Sequence, residues 1–197
     1  MFKIDTKEIH IFDIDGCIFP AKNNDGIQIM PNNFIEISSK NIINKMKHTD
    51  LFPKFIDFYK LITKGIKNID IYFITGRKKR DYLNITLKQL SVLNTKKNRD
   101  NLIFFSDDKL LTKRSYYEFK IYNTLKIIIG DGFTSKINIY DDNTSYFSIL
   151  KNRLSIVELN NINYNEVKEP EYFWNLKNEE YKNLIKITQK HLKMIRK

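Results

Sequence analysis

The chain has 197 residues, 42% of them apolar, which is enough for one sizeable core. Its formal charge of +11, from 34 Lys and Arg against 23 Asp and Glu, gives a positive far field that concentrates polyanions. A single cysteine, Cys17, excludes an intramolecular disulfide, and no run approaches the roughly 18 apolar residues of a membrane span, so the chain reads as soluble and intracellular, most simply cytoplasmic.

In chain order, residues 9–14, "IHIFDI", are dense in β-branched and aromatic residues and predict a strand buried on both faces. The segment 20–50 is polar, turn-rich and weakly periodic, so it predicts a small excursion carrying at most a hairpin and a short helix. Helical periodicity follows over 54–67, with Phe55, Phe58, Tyr59 and Ile62 on one face. A second strand is predicted at 69–75, "IDIYFIT", then a helix over 79–93 carrying Tyr82, Leu83, Leu87 and Leu90. A third strand is read at 101–106, a helix at 115–129, a fourth strand at 136–142 and a fifth at 154–159. The last stretch, 169–197, places Tyr181, Leu184, Ile185, Thr188, Leu192 and Ile195 on one helical face and Lys182, Lys186, Lys190, Lys193 and Lys197 near another. The lysines read either as the solvated side of a docked helix or as a polyanion-binding stripe. Strands alternating with helices predict an α/β fold, a Rossmann-like three-layer sandwich with a mainly parallel sheet. The expected organisation is a core over 1–165, with 20–50 as a minimal cap, and a C-terminal helical extension over 166–197.

Ligands of open parallel sheets collect at the carboxyl ends of the strands. There the first strand places Asp13 and Asp15 before Gly16, the second places Thr75, Gly76 and Arg77, and the fourth places Asp141 and Asp142. Four carboxylates in one cleft repel unless a hard cation neutralises them, and oxygen-only ligation suits magnesium. "DIDGCI" carries glycine at its fourth position, which excludes a calcium loop of the EF-hand type, and the chain has no phosphate-binding GxxxxGK loop. Cys17 as a nucleophile lacks a nearby histidine, since His10 precedes it on the same strand.

The ordered set "DID", "ITGR", "YYEFKIYNTL" and "YDDN" resembles the haloacid dehalogenase superfamily of phosphohydrolases over about residues 9–150. The resemblance implies that Asp13 attacks phosphorus to form an aspartyl-phosphate and that Asp15 serves as acid and base. A second acid at position 15 favours phosphate-ester hydrolysis over carbon–halogen cleavage. Thr75 and Lys120 are implied to hold the transferring oxygens, although Lys113 and Lys126 flank Lys120 and stay open as the site lysine. Magnesium is implied to sit between Asp13, the Asp15 backbone carbonyl, and Asp141 or Asp142. Gly16, Gly76 and Arg77 are read as substrate-binding, with Arg77 gripping a phosphate by its two-pronged guanidinium or else forming a surface ion pair. Cys17 departs from the threonine common after the DxDG glycine.

No room exists for a large lid, and an open cleft suits bulky substrates. Within the superfamily the motif set looks most like lidless polynucleotide phosphatase and RNA-repair domains. With the basic surplus, this implies a phosphorylated nucleic-acid end, a 3′-phosphate, with Lys78, Lys79 and Arg80 tracking the backbone. The alternatives are a phosphatase for small metabolites or phosphoproteins and a non-catalytic nucleic-acid-binding module.

Overall fold

A computed structural model describes residues 7–20, 50–93, 101–155 and 161–195. Among these lie five strands, β1 (Glu8–Asp13), β2 (Ile69–Lys78), β3 (Leu102–Phe105), β4 (Lys136–Asp141) and β5 (Ile162–Glu166), and five α-helices, α1 (Pro53–Gly65), α2 (Lys79–Leu90), α3 (Lys113–Gly130), α4 (Phe147–Leu154) and α5 (Pro170–Ile195). The strands form one sheet in the order β3-β2-β1-β4-β5, and every pairing is parallel. The expected α/β sandwich with a parallel sheet is therefore present. The excursion expected over 20–50 lies outside the described residues apart from its two end positions.

Alternation along β1 explains the three layers, because successive side chains of a strand point to opposite faces. Phe12 packs on one face with Phe55, Phe58 and Tyr59 of α1 and Trp174, Tyr181 and Ile185 of α5. Ile9 and Ile11 pack on the other with Ile121 and Ile128 of α3 and Leu150 and Leu154 of α4. Asp13 shares the parity of Ile9 and Ile11, so the strand directs it toward α3. The same rule sends Asp141 of β4 toward α3, behind Ile137 and Ile139.

Of the strand read at 154–159, Leu154 ends helix α4, and 156–159 lie outside the described residues. Among the described residues the fifth strand is Ile162–Glu166, "INYNE". That run is polar because β5 is an edge strand with half-buried or exposed side chains, so the apolar density used to find buried strands is missing from it. The terminal stretch forms α5 as expected, with Tyr181 and Ile185 buried against the core.

Candidate active site

The turn after β1 is closed by its own backbone. Gly16 N–H donates to the Phe19 carbonyl at 2.9 Å, and Ile18 and Phe19 both donate to the Ile14 carbonyl at 3.0 Å. Gly16 takes φ +85°, a left-handed conformation that favours glycine, and a side chain there would overlap Asp142 Oδ2. Asp142 thus leans its carboxyl onto the turn that carries Asp13 and Asp15.

Helix α3 brings the opposite wall. Its start is fixed by a capping box, in which Thr112 Oγ1 accepts from Ser115 N–H at 3.1 Å and Ser115 Oγ accepts from Thr112 N–H at 2.9 Å. One turn in, Tyr116 and Lys120 lie four residues apart and so share a face. Lys120 Nζ meets Asp13 Oδ1 at 2.7 Å and also pairs with Asp141 Oδ2. Of the three candidate lysines, Lys120 makes these contacts. Lys113 Nζ lies 5.7 Å from the centre of the Tyr117 ring, and Lys126 lines a cavity at the opposite end of the sheet with Lys7, Asp70 and Asp131.

Two tyrosine hydroxyls complete the shell around the acids. Tyr116 donates to Asp13 Oδ1 at 3.3 Å and Tyr146 donates to Asp141 Oδ2 at 3.0 Å, while Asn143 N–H donates to Asp141 Oδ1 at 2.9 Å. The Tyr116 ring also lies under the Lys120 ammonium, 4.7 Å from Nζ to its centre. Gly76 makes room for that ring, since a Cβ there would come within 2.9 Å of Tyr116 Cε2. Neither tyrosine was singled out from the sequence. The available signal was helical spacing, because the residue four before the site lysine must share its face.

Asp13, Asp141 and Asp142 each offer a carboxylate oxygen within 4.8 Å of the others. Three carboxylates face one ammonium, so the cluster carries surplus negative charge. Burial, the Asp141 charge and the Asp15 charge push the Asp142 carboxyl up to about 6, with Lys120 pulling the other way. Burial raises Asp13 well above the usual carboxylate range, and although Lys120 lowers it, the Asp141 and Asp142 charges add to the rise. Burial works against the Lys120 charge, but Asp13 and Asp141 outweigh it and hold the ammonium well above its ordinary value. An all-oxygen donor set in which burial, and then neighbouring negative charge, hold Asp13 and Asp142 up fits a hard divalent cation such as magnesium, which would offset that charge.

Asp15 is placed differently from the other three acids. Arg77 binds it with Nη2 to Oδ1 at 2.5 Å and Nε to Oδ2 at 2.9 Å, and gives its remaining Nη1 to Thr86 Oγ1 and Gln89 Oε1 of α2, both at 2.8 Å. Arg77 is 1% exposed, so its ion pair with Asp15 is a buried one and not a surface pair. Its donors are turned onto Asp15 and α2. The pairing of β2 with β3 shifts register between Thr75 and Lys78, and within that stretch Arg77 N–H donates to Thr75 Oγ1 at 3.1 Å. Thr75 itself is buried within β2, ahead of its end at Lys78.

Cys17 is fully buried, and burial together with the charges of Asp13, Asp141 and Asp142 raises its thiol well above the ordinary value, so it is inert. Of the basic triplet after Thr75, Lys78 Nζ donates to the Asp107 carbonyl at 3.1 Å and Arg80 pairs with Asp81 at 3.2 Å. Lys79 lines an open groove of about 500 Å³ with Leu83, Leu102 and Phe104.

No protein-family model matches the chain, and no curated protein matches it. Among solved structures, the class C acid phosphatase from Bacillus anthracis is similar at 18% identity over 94% of this chain and 80% of that one, with a TM-score of 0.47. The same enzyme with tungstate bound gives 14% identity over 91% and 79%, with a TM-score of 0.46. In this chain a parallel sheet delivers a cluster of carboxylates able to chelate a divalent metal, and no helix among the described residues is long and apolar enough to cross a membrane.

Proposed function

We propose that this protein is a magnesium-dependent phosphomonoesterase that works through an aspartyl-phosphate on Asp13. The observation that carries the reading is the convergence of Asp13, Asp141 and Asp142 around one point, with Lys120 reaching Asp13 from α3. These carboxylates and the Asp15 backbone carbonyl would hold the magnesium, which would supply positive charge for the phosphoryl oxygens. Asp13 attacks phosphorus while the ester bond breaks, and Asp15, aimed by Arg77, gives its proton to the departing alkoxide. Water then attacks the aspartyl-phosphate, its proton passes to Asp15, and the carboxylate of Asp13 is restored with release of inorganic phosphate. Thr75 and the Lys120 ammonium bind phosphoryl oxygens in both steps.

The acidic site explains hydrolysis of a phosphate ester without specifying what the ester is attached to, so the substrate is proposed as a small metabolite or phosphoprotein. A phosphorylated nucleic-acid end is the second reading. It is favoured by the +11 charge and by a groove of about 360 Å³ between α1 and α5 that is lined by Lys54, Lys60, Lys64 and Lys182 against Asp57.

The deciding experiment measures phosphate release from sugar phosphates, a phosphopeptide and a 3′-phosphorylated oligonucleotide, with and without magnesium. Magnesium-dependent turnover abolished in Asp13→Asn supports the phosphatase reading, and wild-type turnover in that variant overturns it. A preference for the oligonucleotide that collapses between low and high salt selects the nucleic-acid reading. Equal, salt-insensitive turnover rejects it.

A further inference from the structure

Tyr116 is not needed to build the carboxylate cluster, yet it is a buried phenol whose hydroxyl donates to Asp13. Its hydroxyl and the Lys120 ammonium converge on the same oxygen, Oδ1, at 3.3 Å and 2.7 Å. Oδ2 is thereby left to make the bond to phosphorus. The Tyr116 ring is fixed on both sides, by Gly76 of β2 and by the Lys120 ammonium above it, so the hydroxyl cannot swing away without moving either.

The two half-reactions ask opposite things of a donor on Oδ1. When Asp13 attacks, its carboxylate gives up charge, and a hydrogen bond to that charge makes it a weaker nucleophile. When water attacks the aspartyl-phosphate, the new bond from water oxygen to phosphorus forms as the bond from phosphorus to Asp13 Oδ2 breaks. The electron pair returns to the carboxylate and spreads onto Oδ1, and the water proton goes to Asp15. A donor already aimed at Oδ1 stabilises that developing charge without reorganising. Resting on the aspartyl-phosphate reading above, we propose that the Tyr116 hydroxyl is a leaving-group stabiliser that selectively speeds hydrolysis of the phosphoenzyme.

Tyr116→Phe removes the hydroxyl and keeps the ring that packs on Gly76 and under Lys120. With p-nitrophenyl phosphate and magnesium in stopped flow, the variant is expected to release a burst of p-nitrophenolate close to one equivalent per active site. A steady rate reduced roughly 10-fold, with KM falling alongside kcat, is expected to follow, because the phosphoenzyme accumulates. Acid quench should trap a correspondingly larger fraction of labelled protein. Tyr146→Phe strips a hydroxyl from the same cluster but from Asp141, and is expected to raise the magnesium concentration needed for half-maximal rate without any burst. A burst-free Tyr116→Phe whose kcat falls with unchanged phosphoenzyme level, or a burst in both variants, overturns the proposal. Failure of the underlying reading looks different, since neither wild type nor variant would then form an acid-stable, Asp13-dependent phosphoenzyme. Equal melting temperatures for wild type and Tyr116→Phe exclude misfolding as the cause.

Discussion

Trp174 of the terminal helix donates its indole N–H to the backbone carbonyl of Cys17 at 2.9 Å, joining α5 to the turn that holds both acids of the DxD pair across 157 positions of sequence. The indole is fully buried and touches Phe12, Phe55, Phe58 and Tyr140, so the helix supports the floor of the site as well as the fold. Trp174→Phe leaves the Cys17 carbonyl buried without this donor, which costs about 1–3 kcal/mol. Urea unfolding should report that loss. Turnover per folded molecule should fall as well, because the 15–19 turn loses its tether, and unchanged turnover would mean that α5 is a passive cover.

Gly16 predicts a metal phenotype. Alanine there must overlap the Asp142 carboxyl and hold a left-handed backbone, so Gly16→Ala displaces one of the three metal-facing acids. The magnesium concentration giving half-maximal turnover should rise by about an order of magnitude, as it should in Asp142→Asn. A magnesium titration of both variants checks this, and a loss confined to kcat in Gly16→Ala would place the damage at Asp13 instead.

Arg77 separates orientation from substrate binding. Lysine cannot span Asp15 Oδ1, Asp15 Oδ2, Thr86 and Gln89 with one compact ammonium, so Arg77→Lys frees the Asp15 carboxylate. Turnover should fall roughly 10- to 100-fold with KM little changed, as expected for a group that orients an acid–base and does not touch the ester. A rise in KM with kcat preserved would show that the guanidinium reaches substrate.

The parallel sheet and the edge holding the acids were legible because buried parallel strands leave dense apolar runs and because the acids stand at their ends. Asp13 and Asp141 close β1 and β4 in this way, whereas β2 runs past Thr75 to Lys78. Lys120 was recoverable only as one of three lysines, since helical phase is decided by the capping box at Thr112 and Ser115, whose register a single sequence does not reveal. The burial of Arg77 is not legible, because its partners, Asp15, Thr86 and Gln89, lie 62, 9 and 12 positions away and nothing local marks a guanidinium as buried. Trp174 and Tyr116 read as ordinary core aromatics, and the polar tips that give them their roles depend on tertiary placement.

His10 predicts how stability responds to acid. It is fully buried on the α1 and α5 face of β1, where Nε2 lies 3.1 Å from Glu8 Oε2 and Nδ1 lies 3.3 Å from the Tyr140 hydroxyl. Burial lowers its pKa below the ordinary 6.5, and the Lys136 and Lys177 charges add to this, while the hydrogen bond and charge of Glu8 oppose the fall without cancelling it. Unfolded protein therefore binds a proton near 6.5 that the folded protein refuses until lower pH, and stability must drop as pH falls below that value. Burial would raise Glu8, but hydrogen bonds from His10 and Tyr181 and the Lys136 charge hold it below the ordinary 4.5. Its contribution is present above 4.5 and is lost as pH falls through its lower folded value, giving a second decline. Urea midpoints measured from about pH 8 down to about pH 3 should show both losses in the wild type. His10→Gln should flatten the upper one and keep the lower, whereas an unchanged slope around 6.5 would mean that His10 takes up its proton equally in both states.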